Sequence, residues 1–82
     1  MTISGRQLLR LLELDGWTLG GRRNHGVMVY KQFPGEPYRR STVVPDKTSD
    51  LTPTTLGAIL SVKQTRLGHG GLQELIDNYG MP

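Results

Sequence analysis

HGVMVYKQFPGEPYRRSTVV, residues 25–44, decides the fold. Its first part, His25 to Phe33, is rich in Val, Met and Tyr, residue types that suit the pleated, half-buried surface of a strand. Pro34-Gly35-Glu36-Pro37 then concentrates turn formers, so Tyr38 to Val44 is expected to return as an antiparallel strand. Pro45 ends that strand, because it has no N–H to give to a ladder. Upstream, Trp17-Thr18-Leu19 alternates apolar and polar and stops at Gly20-Gly21, which reads as a short first strand and its turn.

Helices bracket the strands. Ser4 precedes RQLLRLLEL, Leu8, Leu11 and Leu12 share one face, and Asp15-Gly16 stops the run, which predicts a helix over residues 5–14. After a loop from Asp46 to Asp50, LTPTTLGAILSVKQ offers Thr52 as N-cap, Pro53 at the first helical position, and Leu56, Ile59 and Leu60 on one face. Gly68-His69-Gly70-Gly71 interrupts as a hinge with His69 solvated, and Leu72, Leu75, Ile76 and Tyr79 then repeat at the spacing of a short third helix. The order is helix, three strands, helix, with a helical appendage. That is an α+β domain of α-β-β-β-α type, a three-stranded antiparallel sheet with its helices on one face. The other face stays open.

Eighty-two residues suffice for one small domain over 1–82 and one modest core, but not for separate cofactor and substrate domains. Any active site must be shallow. The chain contains no cysteine, which excludes a disulfide framework, a thiolate nucleophile and a thiolate metal ligand. No stretch approaches the roughly 20 apolar residues of a membrane span, and no signal-peptide core opens the chain, so a soluble, cytoplasmic protein with no membrane partner is expected. The net charge of +3 is uneven: residues 1–40 hold seven of the ten Lys and Arg but three of the seven Asp and Glu. A basic region around the strands attracts phosphate backbones, although a solubilising surface would look the same.

The search for chemistry leaves one residue standing. No G-x-S-x-G elbow exists, and Ser4, Ser41, Ser49 and Ser61 lie in cap, strand or helix contexts, which argues against a serine hydrolase. His25 and His69 lie far apart without a carboxylate cluster, so neither a metal site nor any other cofactor is expected. The 68–71 segment lacks the following Lys-Ser/Thr of a phosphate-binding loop. His25 can give or take a proton near neutral pH, and Arg22 and Arg23 beside it can hold a phosphate. RNA brings its own nucleophile, the 2′-OH, so one positioned acid or base with cationic help suffices. A hydrogen-bonded or surface histidine would show the same local pattern.

Taken together, SGRQLLRLLELDGW, RNH, STVVP and LTPTTLGAIL resemble, in this order and spacing, the HicA family of bacterial mRNA interferase toxins, which adopt a double-stranded-RNA-binding-domain-like fold. The similarity covers residues 4 to about 67 and leaves 68–82 as an extension. It implies a metal-independent endoribonuclease acting on mRNA, with His25 as the catalytic histidine. It also implies a HicB-like antitoxin that silences the protein by covering His25. Arg22, Arg23, Lys31, Arg39 and Arg40 are the residues expected to hold the RNA backbone. One departure from the family stands beside the site: Asp46-Lys47 follows Val44-Pro45 where many members carry a histidine. A non-catalytic RNA-binding module of the same fold, or a small protein-interaction domain using the open sheet face, remains the alternative.

Strand alternation groups His25, Val27, Val29 and Lys31 against Met28 and Tyr30. Both sets carry apolar residues, so periodicity does not say which turns inward. The resemblance implies that Met28 and Tyr30 turn toward the helices, which leaves His25 on the open face beside an exposed strip of Val27 and Val29.

Overall fold

The computed structural model describes residues 2–82. They run in the order α1 (Gly5–Leu14), β1 (Thr18–Arg23), β2 (Gly26–Lys31), β3 (Arg40–Val44), α2 (Pro53–Leu60) and α3 (Gly68–Tyr79). The strands form a three-stranded antiparallel sheet in the order β1-β2-β3. This is the α-β-β-β-α arrangement of the double-stranded-RNA-binding-domain class, with α3 added.

α1 starts where its sequence provides a reciprocal cap. The Ser4 hydroxyl accepts from the Gln7 N–H at 3.1 Å, and the Gln7 side chain accepts from the Ser4 N–H at 2.9 Å. Its buried stripe of Leu8, Leu9, Leu11 and Leu12 joins Ile3, Trp17, Leu51, Leu56, Ile59, Leu60, Leu72 and Leu75 in one core. Thr52 and Pro53 open α2 as the sequence indicates, the Thr52 hydroxyl accepting from the Thr55 N–H. That helix stops at Leu60, before the SVKQ segment. There the buried Thr65 hydroxyl donates to the Ile59 carbonyl at 2.6 Å and turns the chain.

The sheet inverts the expected facing. Val29 and Val44 are fully buried and Thr42 nearly so, and Val27 packs against the core. Met28 and Tyr30 are half-buried on the other side. The helices therefore cover the Val27–Val29 face. The β2–β3 register explains the choice: Val27 pairs with Val44 and Val29 with Thr42, whereas Met28 pairs with Val43 and Tyr30 with Ser41. The first set is smooth and β-branched, a shape that lets the leucines of the helices approach closely.

Further boundaries differ from expectation, and β2 spans Gly26–Lys31 rather than His25 to Phe33. β1 does not end at Gly20-Gly21 but continues to Arg23 through a bulge, in which the two glycines oppose Met28 alone. A Cβ on Gly20 would lie 2.7 Å from Met28 Cε, the flexible end of that side chain, and 3.2 Å from the Met28 carbonyl oxygen, so glycine eases the approach of the strands at the bulge. The turn is Asn24-His25 instead, closed by the Arg23–Gly26 pair. β3 begins at Arg40 rather than Tyr38, and the Tyr38 side chain projects into solvent. α3 begins at Gly68, four residues ahead of Leu72, so the glycine run forms the first helical turn and His69 is exposed within it. Burial of Leu72 and Leu75 anchors the helix. Their contact with the core outweighs the poor helix propensity of glycine.

Candidate nucleic-acid interface

Three segments converge at one end of the sheet: the first turn of α1, the Asn24-His25 turn, and the Pro45–Lys47 segment after β3. Antiparallel pairing of Val27 with Val44 forces the last two together. Glycine permits the approach at both contacts. A Cβ on Gly26, which has φ +149°, would collide with the Val44 carbonyl, and one on Gly5 would collide with the Pro45 carbonyl. The Arg6 N–H then donates to the Lys47 carbonyl at 3.1 Å and fixes α1 to the loop.

The result is an open cleft of about 310 Å³ between Arg22–Gly26 and Pro45–Lys47. His25 is exposed on its rim, and its ring makes no hydrogen bond to the described residues. Arg23 reaches back along the strand, donating to the Arg22 carbonyl at 3.3 Å and to Met28 Sδ at 3.6 Å. It joins no ion pair among the described residues. Arg22 does: its guanidinium donates to Asp46, as does Arg6 through Nε at 3.2 Å. The Arg22 hydrogen bond, with help from Arg6, holds the Asp46 carboxyl below the usual carboxylate range. Asp46 is therefore a full anion at neutral pH.

The cations expected to act together are divided between the two ends of the sheet. Arg22 and Arg23 flank His25. Lys31, Arg39 and Arg40 lie at the far end, about 13 Å along β3 at a rise of roughly 3.3 Å per residue. Lys31 turns inward, donates to the Asp15 carbonyl at 2.6 Å and lies 5.2 Å from the Phe33 ring centre. Arg40 makes a bidentate pair with Glu36 at 2.8–3.2 Å and donates to the Val62 carbonyl at 2.6 Å. Both serve contacts within the fold. Arg39 is the exception, its guanidinium stacked 4.1 Å from the Tyr30 ring centre on the open face.

Sequence reasoning set Asp46-Lys47 beside the site only through the resemblance, and gave no role to them, to Asn24 or to Arg6. The signal was available in part, since Pro45 ending β3 places the next residues beside whatever precedes β2. Among the described residues no three His, Asp or Glu side chains gather as metal ligands, and no helix is long and apolar enough to cross a membrane. The cleft is lined by Arg22, Arg23 and Lys47 together with Asp46 and the exposed His25. Comparison of the chain with protein-family models, with curated proteins and with solved structures returned no match.

Proposed function

We propose that this chain is an RNA-binding domain that takes a backbone phosphate in the cleft beside the Asn24-His25 turn. The observation that carries the reading is the convergence of Arg22, Arg23 and Lys47 on one open concavity of a double-stranded-RNA-binding-domain-like fold. Arg23 and Lys47 supply the sequence-independent attraction, and Asn24 can donate to phosphate or sugar oxygens. Lys31 and Arg40 are left out of this assignment because their donors serve the fold. The test is binding of a labelled RNA over a range of salt concentrations. Replacing Arg23 and Lys47 with Gln is expected to weaken binding at least tenfold at about 0.1 M salt, and to flatten the log–log salt slope by about 1.4 for two single-strand phosphate contacts. An unchanged slope refutes the site.

A second reading is favoured by one feature, the exposed imidazole on the rim of that cleft. Here the protein is an mRNA interferase of the HicA kind. His25 takes the proton from a 2′-OH as its oxygen attacks the adjacent phosphorus to give a 2′,3′-cyclic phosphate, the P–O5′ bond breaks, and a solvent water protonates the departing 5′ oxygen. A HicB-like partner would then act by covering the rim. His25→Ala is expected to abolish cleavage with RNA binding retained and a Tm within about 2 °C of wild type, since an exposed side chain contributes little packing. Cleavage by the folded variant at the wild-type rate removes His25 from the chemistry, and absence of cleavage by the wild type itself leaves the binding module as the function.

A further inference from the structure

Asp46 is the acidic residue among cations in the cleft lining, and it occupies the floor. Its side chain is 16% exposed, whereas those of Arg6 and Arg22, which grip it, are 64% and 72% exposed. The three come from separate segments, Arg6 from α1, Arg22 from β1 and Asp46 from the loop after β3. A carboxylate held by two guanidiniums repeats the pattern in which arginines hold a phosphodiester, with oxygens accepting from N–H donors. As a fastening it is weak, because exposed arginine–carboxylate pairs stabilise proteins little. As an anion at the bottom of the cleft it matters more, since it cancels attraction where the ligand charge would sit.

We propose that Asp46 is an internal counter-anion standing in for an RNA phosphate. Gripped from α1 by Arg6, it keeps Arg22 poised over the cleft and competes for Arg22 with the incoming phosphodiester. The proposal rests on the RNA-binding reading above and adds how that site is set to modest affinity. When a phosphate pairs with Arg22, Asp46 loses one of its two partners and faces a like charge. It then recruits a cation from solution, so part of the counterion release expected from the RNA is cancelled.

The test compares wild type with Asp46→Asn, which keeps shape and hydrogen-bond acceptance but removes the charge. Binding of a fluorescein-labelled single-stranded RNA of mixed sequence is followed by anisotropy across salt concentrations, with Tm measured on the same samples. Asp46→Asn is expected to bind about three- to tenfold tighter at 0.1 M salt, the size of one charge acting through several ångströms of partly solvated protein. Its log–log slope is expected to steepen by about 0.7. In an Arg22→Gln background the same replacement should gain less than twofold, because the competition has lost its object. Asp46→Ser, which removes the charge with a smaller side chain, carries the same expectation should the Asn variant fail to fold. Binding that is weaker or unchanged without the charge, or a gain equally large beside Arg22→Gln, overturns the proposal. Binding by wild type with no gain overturns the counter-anion alone. Absence of binding by every variant overturns the RNA-binding reading as well.

Discussion

Gly26 joins fold and site at a single residue. It begins β2, directly follows His25, and sits under the Val44 carbonyl at φ +149°, where an L side chain is strained and has no space. Gly26→Ala is expected to cost about 2–4 kcal/mol, the range of steric and backbone strain acting together. Gly35, at φ +83° with nothing near its missing Cβ, isolates the backbone part. Gly35→Ala should cost only about 1 kcal/mol. Urea unfolding separates the two through the midpoint at constant m. Equal costs would mean that Val44 and Pro45 yield to a methyl group, and with them the wall of the cleft. His25 lies one position away, exposed and without a ring hydrogen bond to the described residues, so its replacement should leave the urea midpoint nearly unchanged.

At the scale of elements, sequence signals were reliable where one local interaction dominates and misleading where two compete. α1 was legible to the residue because the Ser4 cap, a leucine stripe and an Asp-Gly stop agree. Gly20-Gly21 reads as a turn, yet its glycines accommodate a bulge against Met28, because pairing with β2 supplies more hydrogen bonds than an early turn would. The same extension of β1 carries Arg22 and Arg23 to the His25 end, so the site was half legible. The arginines and histidine adjoin in sequence, whereas Asp46 and Lys47 arrive through β3 register. Facing was not legible, because Val27 and Val29 compete with Met28 and Tyr30 as inward sets of similar hydrophobicity. The buried set is testable: Val29→Ala should cost about 2 kcal/mol, for methyl groups lost from a fully buried position. Met28→Ala, half-exposed beside Arg23, should cost less than about 1 kcal/mol. The reverse order in urea unfolding would mean that the helices cover the opposite face.

Across the whole molecule, the sheet has one end fastened and one end open. At the fastened end Arg40 ties the 33–37 turn to the α2–α3 connection through Glu36 and the Val62 carbonyl, and Arg66 pairs with the same Glu36 at 3.3 Å. Glu36 is held below its ordinary value of 4.5, chiefly by its hydrogen bond from Arg40, with Arg66 contributing. The folded carboxyl therefore titrates lower than the unfolded one. Its stabilisation is complete above pH 4.5 and is lost as pH falls through the lowered folded value. Glu36→Gln should accordingly lower Tm at pH 7 and narrow its gap from wild type as the pH is taken below 4. A gap independent of pH would show that Glu36 acts through shape and not charge. The open end carries the cleft about 13 Å away along β3, and its cations are not those of the fastening. Arg40→Gln should therefore lower Tm while leaving the salt slope of RNA binding at the wild-type value, whereas Arg23→Gln should flatten the slope and leave Tm nearly unchanged. Loss of slope in Arg40→Gln, measured well below its Tm, would place a phosphate contact at the fastened end and extend the RNA path along the sheet.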